Sequence, residues 1–246
     1  MAFLGQWPDL RRAALVGLLI VVQATTAWPA EEQATDEART IVFVSGELGG
    51  SAYATAGFKH VLDGAPDASG FVVMGSGGAG SLQRREIREE GPIRVDSFSM
   101  QASLLAGYQG RVEQGVFAFL LGPEVEYRPP SDAAARRAHP LLGARLQIET
   151  WLHPTDDTLV TATLVAGTAG LHLWARAALG YRVWRDVHFG PEASLYIDSD
   201  NKEVRAGLQF TGLSIGRFTL GASGGLMLQE RGERGSYFVI GTYFPL

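Results

Sequence analysis

The chain has 246 residues, of which 46% are hydrophobic and only 19% charged, with a formal net charge of −5. That balance excludes a disordered acidic chain, and the lack of a polybasic patch argues against nucleic acid as a partner. With no cysteine, the chain has no disulfides, thiolate nucleophiles or thiolate metal ligands.

The N-terminus reads as an export signal. Arg11 and Arg12 flank an apolar run over 13–22, and Thr25 and Ala27 supply small residues for cleavage after Ala27. Cleavage after Ala30 would put the bulky Trp28 three places before the cut. A run this short cannot span a bilayer as a helix, which needs about 20 residues; the alternative is a buried N-terminal helix. The expected organisation is a signal peptide over 1–27, a polar periplasmic tail over 28–39 and one β domain over 40–246.

Beyond residue 39 the dominant signal is a period of two, broken by Gly, Asp, Asn and Pro clusters. It predicts about twelve strands, with ten to fourteen compatible, near 40–49, 51–62, 70–79, 97–109, 112–122, 141–152, 157–166, 170–184, 186–197, 203–213, 216–229 and 236–246. The segment 170–184 is the clearest. Leu171, Leu173, Ala175, Ala177, Leu179, Tyr181 and Val183 share one face, against His172, Trp174, Arg176, Ala178, Gly180, Arg182 and Trp184 on the other. Short turns are expected near 65–69, 110–111, 153–157, 185–186 and 214–215. Long polar loops are expected over 81–96 and 123–140, an alternation typical of outer-membrane barrels.

Alternation alone fits a soluble β-barrel with the opposite polarity as well. Two features favour the membrane. The chain ends with Phe238, Ile240, Thr242, Phe244 and Leu246 at alternate places, resembling the terminal strand that outer-membrane barrels present to the barrel assembly machinery. The apolar phases also run ten residues or more, matching the roughly 9–11 a tilted strand needs to cross hydrocarbon. Because lipid satisfies no backbone polar group, the sheet must close. The expected fold is therefore all-β: a closed antiparallel transmembrane barrel, with outer-membrane lipid as its first partner.

If the apolar phase meets lipid, the lumen receives Arg145, Gln147, Glu149, Arg176, Arg182, His188, Glu192, Arg205 and Gln209. Charges of both signs in a narrow tube will pair. The bland reading is a structural polar network, and the sharper one a polar track for a solute or glycan. Aromatics such as Trp151, Trp174, Trp184, Tyr181, Tyr196 and Tyr243 fall near strand ends and read first as interfacial girdle. Stacking on sugar rings is the specific alternative for Trp174 and Trp184.

The five histidines form no evident nucleophile–base pair, and no His/Asp/Glu spacing suits a metal. The Gly-rich 75–80 segment lacks the Lys and helix of a phosphate loop. No catalytic residue, metal or cofactor is expected. Pro191 inside a strand marks an expected bulge that re-aims Glu192 into the lumen, and 122–124 repeats its Gly-Pro-Glu as an echo of hairpin duplication.

Five segments carry a family resemblance. They are Leu105-Ala106-Gly107-Tyr108-Gln109; Glu149-Thr150-Trp151 before a Pro turn; Ala178-Leu179-Gly180-Tyr181-Arg182; Phe189-Gly190-Pro191-Glu192; and Val204-Arg205-Ala206-Gly207-Leu208 running to Thr211-Gly212-Leu213. In this order, across 40–246, they resemble the cellulose biosynthesis protein BcsS family of alphaproteobacteria. The resemblance implies a non-enzymatic outer-membrane protein tied to cellulose synthesis or export, with cellulose or cellulose synthase components as partners. It carries over no catalytic residue. A small general or solute-specific porin, a structural or adhesive barrel, and lastly an outer-membrane lipid hydrolase remain the other readings.

Overall fold

The structure is a computed structural model that describes residues 39–246, apart from Gly50, Ala65, 89–90, 129–138, Asp200 and Arg231; for Ser51 and 82–97 it describes the backbone. The expected signal peptide and most of the tail lie outside the described residues. Twelve strands follow in chain order: β1 (Thr40–Leu48), β2 (Ser51–Val61), β3 (Gly70–Arg88), β4 (Gly91–Val112), β5 (Gly115–Tyr127), β6 (Leu141–Thr155), β7 (Thr158–Gly167), β8 (His172–Trp184), β9 (Val187–Ile197), β10 (Lys202–Ile215), β11 (Phe218–Gln229) and β12 (Arg234–Pro245). Each pairs antiparallel with its chain neighbours, and β1 pairs with β12 from Ile41↔Pro245 to Leu48↔Phe238, closing the barrel. The Leu246 N–H donates to the Thr40 carbonyl at 2.8 Å, so both described termini meet at one rim.

Closure leaves no sheet edge within the apolar band, which is the condition for crossing lipid with strands. The outward face carries the apolar phase: Leu104, Leu121, Leu179 and Leu208 are all exposed. Near the rim that holds the termini it carries Phe71, Tyr108, Phe117, Tyr181, Phe189, Phe218 and Phe244. Phe71 meets Tyr108 edge-on at 5.7 Å and Phe218 meets Phe244 at 5.1 Å, with the Arg217 guanidinium above both of the latter rings. A lipid-facing apolar band with aromatics at its margin is the surface of an outer-membrane protein. The rim with two-residue turns at 113–114, 156–157, 185–186 and 216–217 is the periplasmic one.

The girdle is not built from all the expected residues. Tyr181 and Trp184 face outward, but Trp151, Trp174, Tyr196 and Tyr243 lie on the inward phase. Nearness to a strand end does not set the face of a side chain; parity along the strand does.

Two other expectations change. The polar stretch 81–96 is not a loop, because β3 and β4 stay in register from Gly70↔Gln109 to Arg88↔Gly91 and project beyond their neighbours as a two-stranded ribbon. β2 ends opposite Leu82 and β5 opposite Met100. Above the lipid a ribbon needs no apolar face, so its alternation disappears while its ladder persists. Likewise β5 runs on to Tyr127, through Pro123. No bulge occurs at Pro191 either: pairs are missing around it on the β8 side, but the register is the same above and below, and unbroken against β10. Glu192 points inward by simple alternation. Gly190 and Gly122, the residues before the two prolines, sit against the carbonyls of Leu179 and Leu104, where a Cβ would clash.

At some glycines an aromatic ring of the next strand lies where a Cβ would be. The Phe43 ring occupies the place a Cβ at Gly57 would take, and Tyr53 packs against Gly78 and Gly80.

Candidate functional site in the barrel lumen

The lower, periplasmic part of the bore is filled with apolar side chains. Ile41, Phe43, Val61, Val72, Met74, Leu105, Leu120 and Tyr243 form one buried cluster, with Trp151 packed against it. Leu120 is 0% exposed although it points at the barrel axis. The β2–β3 connection folds against this end, where the Gln109 Nε2 donates to the carbonyls of Pro66 (2.7 Å) and Ala68 (2.9 Å).

Above and beside this plug lies a lattice of charge pairs, several of which span the bore between strands that are not neighbours. Arg176 on β8 donates to the Glu192 Oε2 of β9 through Nη2 (2.6 Å) and Nε (2.9 Å), and to the Gln209 Oε1 of β10 at 3.2 Å. The Tyr237 hydroxyl, from β12, donates to the other Glu192 oxygen at 2.7 Å. Arg205 on β10 bonds Glu203 beside it and Glu47 on β1, with its guanidinium 5.1 Å from the centre of the Tyr237 ring. On the opposite wall Lys59 of β2 reaches Glu149 of β6 at 2.8 Å. Gln147 donates to Glu149 at 2.6 Å and accepts from the Arg145 Nη2 at 3.1 Å. None of the lattice side chains in these ion pairs is more than 13% exposed. A buried charge is tolerated only when paired and hydrogen-bonded, and these are.

The outer mouth has a different character. Trp174 and Tyr196 are direct register partners on β8 and β9, both inward-facing and part-buried. Tyr53 faces them from β2, bonded to Gln101 and within electrostatic reach of Glu126, Arg145 and Arg128. The Tyr196 hydroxyl donates to Asp198 at 3.0 Å. Arg128 bonds Glu126 and lies 3.5 Å from Asp198, bridging β5 to β9 across the mouth. Burial alone would depress the Arg128 guanidinium, but Glu126, joined by Tyr196 and Asp198, offsets this and holds its pKa above the ordinary arginine value. Glu124 accepts from the Ala169 N–H at 2.9 Å and has His172 at 3.8 Å. Two buried polar atoms here have no hydrogen-bond partner among the described residues, the Glu126 Oε2 and the Arg145 Nε.

The sequence places Arg145, Glu149, Arg176, Glu192 and Arg205 in one lumen, and the structure brings them there in two groups, Arg176–Glu192–Arg205 and Arg145–Glu149. Arg182 is at the exposed periplasmic rim, paired with Asp157 at 2.6 Å. His188 is buried near that rim, its ring 5.7 Å from that of His153 and its Nδ1 bonded to the Asp186 carbonyl at 2.9 Å. Trp184 lies beyond a register shift at Arg182, is 56% exposed and is covered by Arg185 at 4.9 Å. Ten residues of one strand separate it from Trp174, about 33 Å, so the two do not form one platform. Glu47, Lys59, Tyr53, Glu126 and Tyr237 were not among the expected site residues; the parity of β1, β2, β5 and β12 would have found them. Among the described residues no cluster of three or more His, Asp or Glu is placed to hold a metal ion.

A solved structure titled KdgM porin in complex with disordered oligogalacturonate superposes with a TM-score of 0.52 at 11% identity, over 84% of this chain and 99% of that one. It shares the barrel fold. LpxR from Salmonella typhimurium gives 0.46 at 11% identity over 83% and 99%. The transport unit of the autotransporter AIDA-I from Escherichia coli gives 0.45 at 9% over 90% and 94%. No curated protein matches the chain in sequence. The family model described as cellulose biosynthesis protein BcsS matches residues 41–246.

Proposed function

The chain belongs to the cellulose biosynthesis protein BcsS family, and on that premise we propose that it serves cellulose biosynthesis as a non-enzymatic, non-conducting barrel. In this reading it holds the polymer, or the machinery that makes it, at the outer membrane and does not pass the chain through its bore. The observation that carries this is the dry lumen. Inward residues at mid-height, such as Ser45 and Leu120 at 0% exposure and Gln147 and Gln209 at 3%, are closed off by their neighbours, whereas the wall of a polymer channel must be open to solvent.

Planar-bilayer recording of the purified barrel tests the reading, with no stepwise conductance above background expected. Steady porin-type steps would overturn it in favour of a solute porin, the class of the KdgM porin. Deleting the gene and staining for cellulose tests the association, since an unchanged yield would remove it. Turnover of lipid A or phospholipid by the purified protein would overturn the non-enzymatic part. The segment 1–27 supports export by signal peptide, with insertion by the barrel assembly machinery. N-terminal sequencing of the membrane-inserted form is expected to begin at Trp28.

A further inference from the structure

We infer that the outer mouth holds a binding site for a neutral β-linked glucan segment, with Trp174, Tyr196 and Tyr53 as stacking faces and Glu126, Arg145 and Asp198 as hydroxyl partners. The inference rests on the cellulose-associated reading above and locates where the polymer would be held.

Three observations carry it. First, three aromatic side chains point into the bore outside its two buried apolar clusters. Trp174 and Tyr196 stand side by side on adjacent strands, and directly opposed cross-strand residues have Cβ atoms about 4.5–5.5 Å apart. Tyr53 packs against Gly78 and Gly80, its ring atoms taking the places where their Cβ atoms would be. A pyranose ring with equatorial hydroxyls offers an apolar C–H face to such rings and a polar rim to groups beside them. Second, the polar groups beside these rings are incompletely satisfied among the described residues: the Glu126 Oε2 and the Arg145 Nε are buried with no hydrogen-bond partner there, and Glu126 is only 6% exposed. A buried unpaired acceptor or donor costs about 1–3 kcal/mol, which a ligand hydroxyl would recover. Third, the site has a floor: the Arg176–Glu192–Tyr237 pairs and the apolar plug close the bore beneath it. Such a cup holds a chain segment without threading it. Among the described residues of the mouth the carboxylates of Glu124, Glu126 and Asp198 outnumber the guanidiniums of Arg128 and Arg145, which disfavours an acidic polysaccharide.

The test is calorimetric titration of the full barrel, held in an amine-oxide detergent that carries no sugar headgroup, with cellohexaose, maltohexaose and oligogalacturonate. Binding of cellohexaose above the other two is expected. Trp174→Ala should weaken it about tenfold, the equivalent of one stacked ring, while Trp184→Ala at the far rim leaves it unchanged. If the alanine variant does not fold, judged by its heat-dependent gel shift, Trp174→Phe keeps an aromatic ring at the position and is expected to weaken binding by about half as much on the logarithmic scale. Equal affinity in the Trp174 variants, no binding by the wild-type barrel, or equal binding of maltohexaose would each overturn the site. A deletion strain that loses cellulose while the pure barrel ignores cellohexaose sinks this inference alone. A deletion strain with normal cellulose sinks the reading on which it stands.

Discussion

The apolar plug and the charged lattice occupy the same tube and keep it equally dry, yet they are specified in different ways. Around Leu105, Leu120 and Phe43 the filling is set by volume, and any side chain of similar shape would serve. Around Glu192 it is set by partners: one carboxylate takes Arg176 on one oxygen and Tyr237 on the other, fixing β8, β9 and β12 relative to one another. A packed cluster closes a bore, whereas a lattice of cross-bore pairs also fixes its cross-section. The barrel uses the first near the periplasmic turns and the second higher up, where the mouth must keep its form.

Removing one partner should separate the two regions most sharply. Glu192→Ala leaves Arg176 and Tyr237 with no acceptor at that position and is expected to cost about 3–5 kcal/mol, measured as the shift in urea unfolding of the barrel in lipid vesicles. Arg176→Met combined with Glu192→Leu should cost less than Glu192→Ala alone, since no charge is stranded. The opposite order would mean that the lattice acts as mere filler. In the plug, Leu120→Ala is expected to cost about 2–4 kcal/mol from the cavity, while Leu120→Met stays below about 1.5. A comparable loss from both would show that the plug, too, depends on detailed shape. Gly57→Ala comes next, at about 1–3 kcal/mol, because the new methyl meets the Phe43 ring and the Gly75 carbonyl. Last, Asp157→Asn breaks the exposed rim pair with Arg182 and is expected to leave the unfolding midpoint within experimental error.

The barrel itself was legible because lipid imposes a strict rule, apolar out and everything else in, and parity carries that rule through every strand. The strand count, the lumen placement of Arg176, Glu192 and Arg205, and the lipid-facing phase all follow from it. Parity does not say how far an inward residue sits from the axis, or which strand faces which across the bore. Lys59 with Glu149, and Glu47 with Arg205, are therefore pairings between strands far apart in sequence that only closure reveals. Pro191 misled for a related reason. A proline costs a donor, but the ladder absorbs the gap without a shift when the preceding glycine lets the neighbouring carbonyl come close. The ribbon over 81–96 was hidden because hydropathy reports the solvent, and above the membrane both faces see water.

That ribbon has a further consequence. From Leu82 and Met100 upward its backbone pairs with no other strand, and the free stretch reaches about 20 Å at the rise of a β-strand. Among the described residues it is the stretch that projects farthest beyond the barrel wall on the side away from the termini, and so the one most open to a phage, an antibody or a protease arriving from outside.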